Sequence, residues 1–143
     1  MSMSTIRLTY EVEKDDLARA GEASSQVKQT LRKLGFDPET IRRVAICMYE
    51  GEINMVIHAD GGQATVDIGL DAITIVLADH GPGIPDVDLA MQAGYTTAGE
   101  AVRDLGFGAG MGLPNMKKYS DSLTIDTTVG VGTTVTMIIL IPQ

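Results

Sequence analysis

The sequence predicts a single α/β domain: a two-layer sandwich in which a mixed sheet carries helices on one face. Three observations lead there. Five segments have strand patterning and two long ones have helical patterning. The 143 residues also contain no Pro-rich linker, low-complexity run or internal repeat that would divide them, so residues 1–143 are read as one unit. Apolar residues make up 44% of the chain, enough for a core; aromatics are only 4% and Trp is absent, so that core is built from Ile, Val, Leu, Met and Ala.

The elements follow in order. Thr5 to Val12 alternates with period two and reads as a strand. Asp15 or Asp16 caps a helix running to about Leu34, with Leu17, Ala20, Ala23, Val27, Leu31 and Leu34 on one stripe and Gly35 as terminator. Asp37-Pro38 starts a second helix, with Asp as N-cap and Pro in the first helical position, and that helix runs to about Ala59. Gln63–Leu70 and Ile73–Asp79 form a hairpin around Asp71-Ala72, and a short helix covers Asp86 to about Gln92. Gly94 to Gly112 holds six glycines and reads as a long loop, followed by a helix over Leu113–Ser120. Leu123–Thr128 and Thr133–Ile141 are strands around Val129-Gly130-Val131-Gly132. The last is apolar almost throughout, which suits a strand that is central or covered on both faces.

Charge narrows the function. Eleven Lys plus Arg against nineteen Asp plus Glu give a net charge of −8, which repels nucleic-acid phosphates. No window approaches the ~18 apolar residues of a membrane span, and residues 1–14 lack a signal core. The single cysteine, Cys47, cannot form an internal disulfide and lies in an apolar run, as a small buried residue would. A cytoplasmic, reducing location follows.

Four patches carry candidate chemistry. Glu50, Asn54 and His58 recur every four residues, so they share one stripe of the second helix. A carboxylate and an amide oxygen one turn apart can grip hydrated Mg²⁺, and the carboxylate can take a proton; a solvated polar face has the same pattern. Asp79 closes an apolar strand and is followed by His80-Gly81-Pro82-Gly83-Ile84. A carboxylate there can accept from an exocyclic amine while the glycines let backbone approach a flat ring; a plain strand-to-helix turn capped by Asp86 fits as well. Gly106-Phe107-Gly108-Ala109-Gly110-Met111-Gly112-Leu113 exposes backbone N–H groups before a helix start. That makes an anion site without basic side chains, and so one compatible with an acidic protein; a hinge is the alternative. It is neither a Walker loop nor a Rossmann turn, since no Gly-Lys-Ser/Thr follows and no first strand precedes it. Gly130-x-Gly132-Thr133-Thr134, taken alone, is a hairpin turn.

In this order, the four patches resemble the gyrase/heat-shock-chaperone/histidine-kinase/MutL ATPase superfamily. Its N-box is matched by Glu50-x-x-x-Asn54-x-x-x-His58. Its glycine boxes are matched by Asp79-x-Gly81-x-Gly83, Gly108-x-Gly110-x-Gly112 and Gly130-x-Gly132-Thr133. The likeness runs from about Asp15 to the C-terminus and is strongest to the small anti-sigma factor and switch-protein serine kinases of bacteria. The resemblance implies the Bergerat ATP-binding fold with a long glycine-rich lid, ATP and Mg²⁺ as cofactors, and protein serine/threonine kinase activity. It implies Glu50 as general base and, with Asn54, as metal site. Asp79 is implied to hold the adenine amine, with Gly81, Gly83, Ile84 and Thr133 around the ring. Residues 94–112 would form the lid, with Thr97, Gly106, Gly108, Ala109, Gly110, Met111, Gly112 and Leu113 toward the phosphates. Arg103 falls where relatives place a basic residue near the γ-phosphate. His58 would contact the lid. The run from Leu105 to Gly112 departs from the anti-sigma factors that bind sigma directly and is more like kinases that phosphorylate an antagonist (STAS-type) or scaffold protein. The implied partner is therefore such a protein or a sigma factor, with no nucleic acid and no membrane. Relatives often pair two copies through the sheet or first helix, so a homodimer is left open.

Overall fold

The computed structural model describes residues 5–13, 19–58, 61–92 and 112–142, with the side chains of residues 57 and 58 excepted. The elements are β1 (Ile6–Val12), α1 (Glu22–Lys33), α2 (Pro38–His58), β2 (Gly62–Ile68), β3 (Ala72–Asp79), α3 (Val87–Ala90), α4 (Gly112–Tyr119), β4 (Ser122–Thr128) and β5 (Gly132–Leu140).

The five strands form one sheet in the order β1-β2-β3-β5-β4. All four neighbouring pairs are antiparallel, so the sheet is not mixed as expected. The reason lies in the route of the chain. β4 runs in the same direction as β3, as a crossover through a helix requires, but it lands two positions away. β5 then returns by hairpin into the gap, so the parallel relationship exists without a parallel ladder.

Alternation decides which face is covered. Ala64, Val66 and Ile68 of β2, Ile73, Ile75 and Leu77 of β3, and Val135, Met137 and Ile139 of β5 are buried. Their outward neighbours are half-buried or exposed and rich in threonine. β5 is central, yet it is covered on one face only: Thr134, Thr136 and Ile138 are half-buried and Leu140 is 55% exposed. The covered face meets Val27 and Leu31 of α1, Val44, Cys47 and Met48 of α2, and Leu113 and Met116 of α4 in one core.

The helix ends explain two further departures. A continuous helix from Asp15 or Asp16 is not what forms: Arg19 and Ala20 lie in a turn, and α1 starts at Glu22 after Gly21, whose φ is 92°. No local side chain caps this start. The carboxylate of Glu52, on α2, accepts from the backbone N–H groups of Ala23 and Ser24 at 3.2 and 3.1 Å. At the other end, Phe36 N–H donates to Leu31 O and Gly35 N–H to Arg32 O. This is the paired closure that ends many helices, and it leaves Leu34 45% exposed, outside the expected core stripe. Asp37 caps α2 as expected, accepting from Thr40 N–H at 3.0 Å. Asp15, Asp16 and Leu17 lie outside the described residues.

Candidate functional site

α2 and α4 pack antiparallel in a register that can be followed contact by contact. Arg43 Nε donates to Tyr119 O at 3.1 Å, and Cys47 Sγ lies 3.7 Å from Met116 O. One turn further on, Asn115 Nδ2 donates to Glu50 Oε2 at 2.6 Å. At the far end Gly112 lies against Asn54: a Cβ on Gly112 would stand 3.0 Å from both Oδ1 and Nδ2 of that amide. The last glycine of the second glycine box is thus brought onto the N-box asparagine, and no larger residue fits there without moving the amide. Asn54 and Glu50 are both half-buried. Glu50 borders a groove of about 510 Å³ between α1, α2 and α4, lined also by Ser25, Lys28, Tyr49 and Tyr119.

The second centre is built on Asp79 at the end of β3. Its Oδ1 accepts from Gly81 N–H at 2.9 Å and from Thr133 N–H at 3.0 Å, which joins the first and third glycine boxes through one oxygen. Thr133 Oγ1 lies 2.8 Å from Thr127 Oγ1, and Thr127 Oγ1 accepts from Ile84 N–H at 2.8 Å. Gly83 has φ 82°, and a Cβ there would stand 2.7 Å from Thr128 O, so both conformation and space require glycine. The carboxylate is therefore held rigidly by backbone, and Oδ2 has no partner among the described residues, as an acceptor for an amine requires.

Among the described residues no three His, Cys, Asp or Glu side chains gather into a metal cluster. A divalent cation here would have at most the Asn54 amide oxygen and the Glu50 carboxylate from the protein. That sparse, hard-oxygen donor set suits Mg²⁺, which keeps waters and takes phosphate oxygens as its remaining ligands. Burial pushes the Cys47 thiol up to about 12, opposed by Arg43 and aided by Glu50, which removes it as a nucleophile. Tyr49, beside the groove, is also raised, first by burial and then by Glu50 and Glu52.

Of the expected site residues, Glu50, Asn54, Asp79, Gly81, Gly83, Ile84, Gly112 and Thr133 fall into these two centres. Leu113 turns its side chain into the core at 8% exposure, which leaves its backbone N–H for a ligand. Thr97, Arg103, Gly106, Gly108, Ala109, Gly110, Met111 and the His58 side chain lie outside the described residues. Three participants went unread in the sequence: Asn115, Thr127 and Glu52. Asn115 had a signal, since it lies one turn after Gly112 and so on the same face of α4. Thr127 and Glu52 act across 43 and 28 residues of chain, beyond any local pattern.

The family described as histidine kinase-like ATPase domain matches residues 14–139. Serine/threonine-protein kinase RsbT of Bacillus subtilis (strain 168) is 30% identical over 110 residues, which cover 74% of this chain and 77% of that protein. Anti-sigma F factor of Caldanaerobacter subterraneus subsp. tengcongensis is 37% identical over 109 residues, covering 71% and 73%. Among solved structures, the RsbU and RsbW domains of Rv1364c from Mycobacterium tuberculosis align with TM-score 0.60 and 17% identity, over 96% of this chain and 33% of that one. Mycobacterial sensor histidine kinase MprB aligns with TM-score 0.53 and 15% identity, over 94% and 97%. At those identities the structural likeness speaks to the fold.

Proposed function

The chain belongs to the histidine kinase-like ATPase domain family, and from that premise we propose that it is an ATP-dependent protein serine/threonine kinase of a partner-switching pathway. Its substrate would be a hydroxyl on a small antagonist (STAS-type) or scaffold protein. The observation that carries the reading is the register of α4 on α2, which gathers a carboxylate, an amide oxygen and a helix start. Similarity to a protein named as a serine/threonine kinase supports the choice of acceptor chemistry. A cytoplasmic location belongs to the proposal because ATP and Mg²⁺ are supplied there.

In this reading Asp79 Oδ2 accepts from the adenine amine, with Gly83 and Ile84 against the ring and Thr133 beside it. The start of α4 aims backbone N–H groups at the phosphates. Mg²⁺, held by Asn54 and Glu50, would neutralise charge on the phosphates. Glu50 accepts the proton of the acceptor hydroxyl as its oxygen bonds to the γ-phosphorus; the bond from that phosphorus to the β,γ-bridging oxygen breaks, and ADP leaves. Arg103, Thr97, His58 and the 106–111 run keep their proposed places at the lid and phosphates.

A second reading, nucleotide-gated sequestration of a partner such as a sigma factor without transfer, is favoured by the similarity to Anti-sigma F factor. One experiment separates the two. The purified chain is incubated with Mg²⁺, γ-labelled ATP and extract of its source, and the label is tested in acid. An acid-stable label on another protein, absent with Glu50→Gln, is the expected result. An acid-labile label would point instead to histidine transfer. ATP binding with no labelled protein would favour sequestration.

A further inference from the structure

We propose that Asn115 is a positioning residue for Glu50: it occupies one carboxylate oxygen and so fixes which oxygen meets the acceptor proton. This rests on the kinase reading of the same site. Asn115 Nδ2 donates to Glu50 Oε2 at 2.6 Å, at the short end for a charge-assisted bond. The amide orientation is chemically forced, because its oxygen facing a carboxylate would set acceptor against acceptor. Oε1 has no partner among the described residues.

The scaffold makes the contact a shared one. Gly112 and Asn115 are three apart on α4 and meet Asn54 and Glu50, which are four apart on α2. The same helix turn therefore sets the distance between the phosphate-side amide and the base. A carboxylate free to rotate would present either oxygen to the hydroxyl, and only some rotamers would be productive; a carboxylate with one oxygen held is preorganised. Glu50 also borders the groove between α1, α2 and α4, and Asn115 lines that groove beside it, so the bond holds the base at the groove's edge.

Two measurements on the full chain test this. The first is the Asn115 side-chain amide resonance in ¹H–¹⁵N spectra without nucleotide. It is expected to follow the titration of one carboxylate and to lose that dependence in Glu50→Gln. A resonance indifferent to Glu50→Gln overturns the contact and the proposal with it. The second is ADP formation from Mg-ATP by the chain alone, in which water takes the place of the acceptor. Asn115→Ala is expected to lower kcat about tenfold with KM and ATP affinity within about twofold of wild type. Asn115→Asp, which sets a second carboxylate against the first, is expected to lower kcat further. An unchanged kcat in Asn115→Ala, or a loss confined to KM, overturns the positioning role. Should the wild type bind ATP and form no ADP, the phosphotransfer reading is what fails, and Asn115 then stands or falls on the resonance.

Discussion

Asp79 commits one carboxylate oxygen to two backbone N–H groups and keeps the other for a ligand. Asp79→Asn preserves shape and leaves an acceptor for those N–H groups, but it sets an NH₂ against the adenine amine. ATP affinity is expected to fall at least about tenfold with little change in Tm, as calorimetric titration and thermal melting would record; unchanged affinity would remove the adenine assignment. Glu52 is 4% exposed and answers two N–H groups at the start of α1. Glu52→Ala leaves both unmet in a buried place and is expected to cost about 3 kcal/mol in denaturant unfolding. The contrast between these acidic residues bears on what a sequence can reveal. Asp79 could be found because its glycines follow at short, fixed spacing. Glu52 stands two residues from Glu50 in an ordinary helix, and only the packing of α1 reveals its use.

At the scale of elements, patterns of period two and 3.6 located all five strands and the helices seen here to within a few residues, since burial imposes those periods directly. Two features escaped. The start of α1 is set by Gly21 and a remote carboxylate, so the Asp15–Asp16 cap signal pointed to an earlier beginning. Strand order and direction were invisible, because a hydrophobic run specifies burial and leaves its neighbours unnamed. The α2–α4 register was half legible: the order of boxes implied that Gly112 approaches Asn54, while Asn115 on Glu50 follows only once the helices are laid antiparallel. Gly112→Ala tests that register. Its Cβ would press on the Asn54 amide, so ATP affinity in Mg²⁺ is expected to fall about tenfold, with a smaller change in EDTA. Equal losses in both would detach Asn54 from the metal.

The whole molecule is acidic, at −8, yet it is read as a binder of a polyanion. The account resolves this by assigning phosphate binding to backbone N–H groups and Mg²⁺. Its stability should depend on pH in two limbs. Bonds from Thr40 hold Asp37 below the usual carboxylate range, and bonds from Leu140 N–H and then Arg43 do the same for Asp121. Their stabilisation is full above the unfolded value near about 4 and is lost as pH falls below it. Burial raises Cys47 to about 12 and also raises Tyr10 and Tyr49. An acid whose folded value is raised stabilises fully below its unfolded value and loses that contribution as pH rises, here from about 8.5 upward. Melting against pH should show both limbs, with the basic one reduced in Cys47→Ala. The same burial predicts that Cys47 reacts with thiol reagents only on unfolding. The central claim, that Glu50 is the base of an ATP-dependent phosphotransfer, is tested most directly by Glu50→Gln in a single-turnover transfer assay run beside an ATP titration. The account predicts ATP affinity within about threefold of wild type and transfer reduced by at least about a hundredfold. Transfer at the wild-type rate in Glu50→Gln would contradict it.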